Sequence, residues 1–329
     1  MMIRPIGHSG LKVEAIGLGC MGLSEFYGAP TDKDAAIKLI HEAISLGVNH
    51  FDTAEMYGMG ANETLVGAAL KGKRDKVVLA TKFGPMRDPE TGRPVGIDGS
   101  PANCRRAIEG SLKRLGTDYV DLYYLHRVSP TTPIEETVEA MAELVKEGKV
   151  RAIGLSEAAS DTIRRAADVH PIAAVQSEYS IFSRDIEDTV LKACADVGAS
   201  LVAYSPLGRG MLTGAFTNDK RPGDKDYRSL MNPRFQKGAY EANLALVQEI
   251  EAVAKAKGAT PAQVALAWVI GRGDNILTIP GTTKLSHLKT NLGAYDVALT
   301  DGETARLDAL ADKVSGNRYD ERGMAVIYG

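Results

Sequence analysis

Short, nearly continuous apolar runs recur along the 329-residue chain, and turn residues bound each of them. Near-continuous apolarity is typical of strands that are buried on both faces, as in a parallel sheet covered by helices. The pattern therefore predicts eight strands, at 15–19, 48–53, 77–83, 120–126, 150–156, 173–177, 200–205 and 276–280.

The segments between these runs carry helix start and stop signals. Ser100 followed by Pro101 provides a cap and a first-turn proline, and Gly116 ends the apolar stripe that follows. Strands that alternate with helices, without a run of hairpins, favour an α/β fold, and eight such units favour a (β/α)₈ TIM barrel. Similar signals predict helices that begin at Thr31 and Thr132, and others at 160–169, 185–197, 240–257 and 260–270.

The whole chain, 1–329, is expected to form one barrel domain with three additions. Residues 1–13 predict an N-terminal β-hairpin outside the strand count. The least regular stretch, 208–235, is a long loop after the seventh strand, and in a barrel it opens onto the catalytic face. A tolerated surface insertion is the alternative for this loop. Residues 312–329 form a C-terminal tail.

The composition limits which binding partners and which cellular compartment are expected. Lysine and arginine number 39 and aspartate and glutamate 42, so the net charge of −3 predicts no nucleic-acid partner. No run approaches the roughly 18 apolar residues of a membrane span. Cys20, Cys104 and Cys194 form no CxxC pair, so we expect neither a zinc ribbon nor a disulfide framework, and a reduced, cytoplasmic location. The sequence does not indicate an oligomeric state.

One glycine pattern is misleading. Residues 17–22, GLGCMG, match the GxGxxG fingerprint of dinucleotide-binding Rossmann folds. That fingerprint needs a helix that begins at its third glycine, so that the helix N-terminus faces the pyrophosphate. Here the next helix cannot begin before about Thr31, so we expect no Rossmann site. The glycines still leave room for a planar group at the strand end, and Gly22 remains a candidate cofactor contact.

Polar residues end three neighbouring strands, where the active site of a barrel is assembled. These are Asp52, Lys82 and His126, and Tyr57 lies in the loop after Asp52. Polar groups are costly to bury alone, so we expect these four to contact one another. An adjacent ammonium lowers the pKa of a phenol, and a buried aspartate keeps that ammonium charged. The four are a candidate proton-transfer set, although each alone is also typical of a structural residue.

Several short motifs are spread over nearly the whole chain: DTAEMYG at 52–58, TK at 81–82, LH at 125–126, GLS at 154–156, VQ at 175–176, YSPLG at 204–208 and IPGTTK at 279–284. Together they resemble the aldo-keto reductase family. The residues at 154–157 and 204–210 are most similar to those of the bacterial and plant branch with pyridoxal-reductase-like and auxin-induced-type members. This resemblance implies a (β/α)₈ barrel that uses NADPH, and no metal, to reduce an aldehyde or ketone to an alcohol.

The resemblance also implies catalytic roles by position. Tyr57 would protonate the carbonyl oxygen, and Lys82 would lower the pKa of Tyr57. Asp52 would support Lys82, and His126 would orient the carbonyl by hydrogen bonding.

The same resemblance implies a path for the cofactor across the barrel. Ser156 and Gln176 would bind the nicotinamide carboxamide, and Tyr204 would stack on the ring so that one face is left open. The pyrophosphate would meet backbone amides of Ser205, Leu207 and Gly208. The adenosine 2′-phosphate and adenine would lie at the last helix, against Gly281, Thr282, Thr283, Lys284, His287 and Asn291.

Three positions depart from the family pattern. Many members have asparagine at Glu157, arginine at His287 and glutamate at Thr290. An ionised carboxylate cannot donate a hydrogen bond, and a neutral histidine cannot grip a phosphate as an arginine fork does. Because Lys284 still supplies a positive charge, we expect NADPH to be preferred over NADH, with a smaller margin.

The substrate is expected to be a small carbonyl compound, but its identity is not readable. Arg127 would meet an anionic group on it, or would be an ordinary surface arginine. The other expected lining residues are Met21, Phe26, Tyr27 and Phe83, with Arg318, Tyr319 and Met324 of the tail.

Two further functions were considered. One is a cofactor-sensing regulatory subunit of the same fold with little catalysis, and the presence of all four catalytic residue types favours the enzyme over it. The other is a hydrolase that pairs Asp52 with Glu55 or Glu178. A hydrolase leaves Lys82 and the residues 281–284 unexplained.

Overall fold

The structure, a computed structural model, describes residues 1–224 and 226–328. Its strands within these residues are β1 (Ile3–Pro5), β2 (Lys12–Glu14), β3 (Leu18–Gly19), β4 (His50–Asp52), β5 (Val78–Phe83), β6 (Pro85–Arg87), β7 (Pro94–Ile97), β8 (Val120–Leu125), β9 (Val150–Ser156), β10 (Ile172–Glu178), β11 (Ser200–Tyr204) and β12 (Ile276–Thr278).

Eight of these strands form one parallel sheet, in the order β12-β11-β10-β9-β8-β5-β4-β3. The two edges of the sheet approach each other, because Ile16, just before β3, bridges Thr278 of β12 in parallel. The Gly17 amide donates to the Thr278 carbonyl at 2.8 Å across the same seam. The sheet therefore curls into the predicted barrel, although its first strand is shorter than the expected 15–19.

The helices are α1 (Lys33–Ser45), α2 (Ala61–Leu70), α3 (Pro101–Leu115), α4 (Ile134–Lys146), α5 (Ser160–Val169), α6 (Val190–Val197), α7 (Tyr227–Met231), α8 (Ala239–Lys257), α9 (Pro261–Ile270), α10 (Leu285–Leu292), α11 (Asp301–Asp308) and α12 (Glu321–Met324). The longer ones cover the outside of the barrel, whereas α7 belongs to the 208–235 segment and α12 to the C-terminal tail. Ser100 caps α3 as predicted, with its hydroxyl accepting from the Asn103 amide at 3.2 Å. In α1 the cap is Asp32 rather than Thr31, because the Asp32 carboxylate accepts from the Ala35 amide at 3.0 Å.

The barrel strands have two buried faces, which accounts for their near-continuous apolarity. One face fills the barrel interior, and the other packs against the helices. Interior residues include Val78, Ala80, Leu122, Tyr124, Ala174 and Val202. Outer-face residues include Phe51, Leu79, Phe83, Tyr123 and Leu125.

The N-terminal hairpin is present and antiparallel, and it pairs Ile3 with Glu14. Its turn packs on the amino ends of the barrel strands, where Ile6 is fully buried and the Gly7 amide donates to the Ser200 hydroxyl at 2.8 Å. A Cβ at Gly7 would lie 2.5 Å from the Ala173 carbonyl oxygen, so only glycine fits this approach. Because the hairpin occupies this end of the barrel, a ligand site is expected at the other end.

Two features differ from the sequence prediction. A small antiparallel hairpin, β6–β7, follows β5 and had not been predicted. The segment 208–235 is not a plain loop: its described residues include two short 3₁₀ turns, Gly208–Thr213 and Pro233–Phe235, and α7. No helix in 1–224 or 226–328 has the length and apolarity to cross a bilayer.

Candidate active site

The four residues of the predicted proton-transfer set meet at the carboxyl end of the barrel. Asp52 ends β4, Lys82 is next to last in β5, and His126 directly follows β8, which lies beside β5. Tyr57 begins a short 3₁₀ turn, Tyr57–Gly60, after β4. All four are buried, and Lys82 is 0% exposed.

The Lys82 ammonium lies at the centre of this group. It forms an ion pair with one carboxylate oxygen of Asp52 and donates to the Thr53 carbonyl at 3.0 Å and to the Tyr57 hydroxyl at 3.3 Å. The other Asp52 oxygen accepts from the Gln176 amide at 2.8 Å. Since an ammonium has three N–H donors, these contacts fix its orientation toward the phenol.

The proton on Tyr57 is held by burial. Burial raises the pKa of Tyr57 above its ordinary value of 10.0, and the nearby Lys82 ammonium lowers it only in part. The lowering expected from Lys82 is present, but desolvation of the phenolate outweighs it. Burial alone would lower the pKa of Lys82, but Asp52 and Tyr57 raise it. At neutral pH the phenol is protonated and the amine is charged.

His126 is uncharged at neutral pH. Its ring meets Tyr57 edge-on, with centroids 5.7 Å apart and an interplanar angle of 85°. Burial, followed by the positive charges of Lys82 and Arg127, holds the pKa of His126 well below 6.5. A neutral imidazole keeps one N–H, so it can donate a hydrogen bond beside the phenol without delivering a net proton.

The predicted nicotinamide contacts lie at or near the carboxyl ends of the next three strands. Ser156, Gln176 and Tyr204 lie in β9, β10 and β11. The Ser156 hydroxyl accepts from Arg127 at 3.3 Å, and Gln176 is bound to Asp52. Gln176 thus joins the predicted cofactor side of the site to the Lys82–Asp52 pair.

The predicted pyrophosphate segment is a tight turn after β11. Ser205 has a φ of 49°, a left-handed conformation that is strained for a residue with a Cβ. The Gly208 amide donates to the Ser205 carbonyl at 2.9 Å, with Leu207 between them at the start of a 3₁₀ turn. Turns in which successive residues adopt right-handed and left-handed helical backbone conformations are typical of anion-binding loops.

The predicted adenosine segment leads into α10. Gly281 bridges Gly19, and the Thr282 hydroxyl accepts from the Lys284 amide at 3.1 Å. No side chain caps this helix, so the first-turn amides keep their donors for a ligand. Of the remaining predicted residues, Thr283, Lys284 and His287 are exposed and Asn291 is buried.

The predicted substrate residues are not all at the mouth. Met21 and Tyr27 are half-buried, and an added Cβ at Gly22 would lie 3.7 Å from the Tyr27 ring. Phe83 does not line the site: it is 1% exposed and stacks on Tyr123 at 5.0 Å in the outer core. Strand side chains alternate, so the inward position of Lys82 places Phe83 outward.

Glu157, one of the departures from the family pattern, anchors the C-terminal tail. Its carboxylate accepts a fork of two hydrogen bonds from Arg318, at 2.8 and 2.9 Å, and both side chains are buried. The Glu157 carbonyl accepts from the Tyr328 amide at 2.8 Å. The neighbouring Tyr319 hydroxyl hydrogen-bonds that of Tyr204 at 2.8 Å. The tail is therefore tied to the ends of β9 and β11.

Replacing Arg318 with methionine is expected to release the tail. Glu157 would keep a buried charge without its fork, a change that typically costs about 3–5 kcal/mol. Hydrogen exchange at 319–328 should quicken and the midpoint of urea unfolding should fall. Arg322→Met, at an exposed position of the same segment, is the matched control and should change neither. Equal exchange in the two variants would contradict the anchoring role.

A second buried carboxylate at this end had been considered only for a hydrolase. Glu178 is bound by Arg209 at 2.9 Å, by Ser183 at 2.9 Å and by Arg234 at 3.5 Å. Burial would raise the pKa of Glu178, but these arginines bring it below its ordinary value. No motif marks the two arginines in the sequence. Asp52 and Glu178 each form an ion pair with a basic side chain. This does not fit the pair of catalytic carboxylates that a hydrolase would need.

Comparison with known proteins identifies the family. The model of the "Aldo/keto reductase family" matches residues 15–312. The chain belongs to this family. The resemblance drawn from the motifs is confirmed, and this aldo-keto reductase is an oxidoreductase of the nicotinamide-dependent kind.

Relatives match this aldo-keto reductase over almost its full length. It is 45% identical to the probable aldo-keto reductase 1 of Glycine max, over 96% of this chain and 92% of the relative. It is also 45% identical to the NADP(+) aldo-keto reductase yakc of Schizosaccharomyces pombe, over 96% and 94%. Among solved structures, a glycerol dehydrogenase from Gluconobacter oxydans is similar at a TM-score of 0.86 and 31% identity, over 97% and 98%.

Proposed function

We propose that this aldo-keto reductase reduces an aldehyde or ketone to an alcohol with NADPH, and that Tyr57 gives the proton. The observation that carries the proposal is the buried Lys82 ammonium, which contacts both Asp52 and the Tyr57 hydroxyl. This places a protonated phenol, held in one orientation, at the carboxyl end of the barrel, where barrel enzymes do their chemistry.

Each of the four residues has a distinct task. Tyr57 donates its proton to the carbonyl oxygen as that oxygen gains negative charge, because burial keeps the phenol protonated. Lys82 stabilises the phenolate that remains, and Asp52 holds the ammonium charged. His126, neutral and edge-on to Tyr57, donates a hydrogen bond that orients the carbonyl.

The residues present fit NADPH. Bound NADPH would supply the hydride. Ser156, Gln176 and Tyr204 would hold its nicotinamide, and the Ser205 turn would hold its pyrophosphate. The uncapped first turn of α10 suits the 2′-phosphate, with Lys284 as the nearby cation. A relative's name carries NADP(+), which supports the same choice.

The two departures from the family pattern in α10 should weaken binding of the 2′-phosphate of NADPH. His287 is exposed, and the Thr290 hydroxyl donates to the Ser286 carbonyl at 3.0 Å within the helix. Neither side chain offers a guanidinium fork to a phosphate. The preference for NADPH over NADH should therefore rest on Lys284 and the helix amides.

The test is oxidation of NADPH, followed by absorbance, with a panel of aldehydes, ketones, pyridoxal and quinones, and with NADH alongside. We expect turnover with NADPH on at least one class of aldehyde or ketone, and a higher kcat/KM than with NADH. Tight NADPH binding with no oxidation across the panel would instead support a cofactor-sensing subunit.

A further inference from the structure

Arg127 differs from the other buried or half-buried arginines at this end of the barrel. It has no carboxylate partner within the described part of the chain, whereas its neighbours each have one. Those neighbouring pairs are Arg318–Glu157 and Arg209–Glu178, each within 2.9 Å, Arg228–Asp226 at 2.7 Å and Arg87–Glu25 at 2.5 Å.

The contacts of Arg127 leave much of its guanidinium free. One terminal nitrogen, Nη1, donates to the His126 carbonyl at 2.7 Å and to the Ser156 hydroxyl at 3.3 Å. No hydrogen bond from Nε or Nη2 to another described residue is formed. A guanidinium edge with two free donors matches the two oxygens of a carboxylate or a phosphate.

This cation is charged and lies beside the reacting groups. Burial alone would lower the pKa of Arg127, but Tyr204, Tyr319 and Glu157 raise it above its ordinary value. Tyr57 also raises the pKa of Arg127. A half-buried positive charge without a protein counter-ion is unfavourable, and an anionic ligand would satisfy it.

We propose that Arg127 is an anion subsite of the substrate pocket, so that the preferred carbonyl substrates carry a carboxylate or a phosphate. The inference rests on the proposed carbonyl reduction, since the subsite lies next to the residues that would hold the carbonyl. Arg127 directly follows His126, so the anion and the carbonyl oxygen would be bound by adjacent residues of the chain.

The test compares two aldehydes that differ in charge and by one methyl group, 4-formylbenzoate and its methyl ester, with NADPH. The quantity measured is the ratio of kcat/KM for the acid to that for the ester. We expect Arg127→Met to lower this ratio about ten- to hundredfold, and Arg127→Lys to lower it less, because it keeps the charge and loses the fork. Arg93→Met, at an exposed arginine after β6 on the same end of the barrel, is the control and should leave the ratio unchanged.

An unchanged ratio in Arg127→Met, or an equal fall in Arg93→Met, would exclude a carboxylate from this subsite. A second readout does not depend on turnover: calorimetric binding of the product alcohol, 4-(hydroxymethyl)benzoate, in the presence of NADP⁺. We expect Arg127→Met to weaken this binding by a similar factor, and equal affinity in the two proteins would exclude a carboxylate from this subsite. If the unmodified protein reduces neither aldehyde, the panel of aldehydes, ketones, pyridoxal and quinones tests the proposed function, and the binding measurement tests the subsite.

A parallel pair separates the two sources of the anion. Glyceraldehyde 3-phosphate and glyceraldehyde differ only in the phosphate. A fall in their kcat/KM ratio in Arg127→Met, with no change for the benzoate pair, would assign the subsite to phosphate. The reverse result would assign it to carboxylate, and no fall in either pair would overturn it.

Discussion

Tyr57→Phe is expected to lower kcat/KM for carbonyl reduction by roughly 10²–10⁴-fold, the usual contribution of a positioned proton donor. The substitution removes the hydroxyl that contacts Lys82 at 3.3 Å and keeps the ring that packs edge-on against His126. Binding of NADPH should change little, because Tyr57 is not among the residues assigned to the cofactor. Turnover is measured by NADPH absorbance, and cofactor affinity by fluorescence titration.

Tyr123→Phe provides the matched control for this experiment. It removes another buried hydroxyl, which donates to the Cys104 carbonyl at 3.3 Å in the outer core, away from the site. We expect this variant to keep its kcat/KM and to lose only a little stability. A Tyr57→Phe protein that turns over as fast as the Tyr123→Phe protein would remove Tyr57 from the chemistry.

The second large effect is expected from Lys82→Met, which should lower both activity and stability. The substitution leaves Asp52 buried, with the Gln176 amide as a neutral partner. Breaking a buried pair by removing one member typically costs about 3–5 kcal/mol, so the midpoint of urea unfolding should fall clearly. Turnover should fall by roughly 10²–10⁴-fold, since the phenolate left by proton transfer loses its ammonium.

A double variant separates the two losses. Asp52→Asn combined with Lys82→Met removes the stranded charge, so part of the lost stability should return in the unfolding curve. Activity should stay low, because the Tyr57 hydroxyl has lost the ammonium that it contacts. If the double variant regained turnover together with stability, Lys82 would have only a structural role.

The barrel could be predicted from the sequence because its strands are unusually uniform. The runs at 77–83, 120–126 and 150–156 differ from the observed β5, β8 and β9 by one residue or less at either end. Segments with a less regular apolar pattern were harder to predict. The predicted helix at 185–197 begins only at Val190, and β6–β7 was missed because these two strands are short and half-exposed or exposed.

The meeting of Asp52, Tyr57, Lys82 and His126 could also be predicted, because parallel strands bring their carboxyl ends to one edge. The ion pair that anchors the C-terminal tail could not be predicted. Glu157 and Arg318 are 161 positions apart, and no local pattern indicates that they pair. The tail residues Arg318 and Tyr319 were expected only at the substrate mouth, whereas they bind Glu157 and Tyr204.

The direction of the Tyr57 pKa shift also lies beyond sequence reasoning. The spacing of Tyr57 and Lys82 indicates attraction between a phenolate and an ammonium, but the depth of burial depends on the packed structure. Here desolvation dominates and leaves the phenol a weaker acid than free tyrosine. In the proposed mechanism, Lys82 would therefore stabilise the phenolate once the proton has left, rather than make the phenol acidic beforehand.

The most direct test of Tyr57 as the proton donor is the pH dependence of kcat/KM for reduction of a neutral aldehyde. The donor form is the protonated phenol, so activity is lost as pH rises through its pKa. Because that pKa is raised above 10.0, kcat/KM should stay level through neutral pH and fall only above the ordinary range of tyrosine. A fall centred near about pH 6–7, where a histidine usually titrates, would assign the proton to another group and contradict the account.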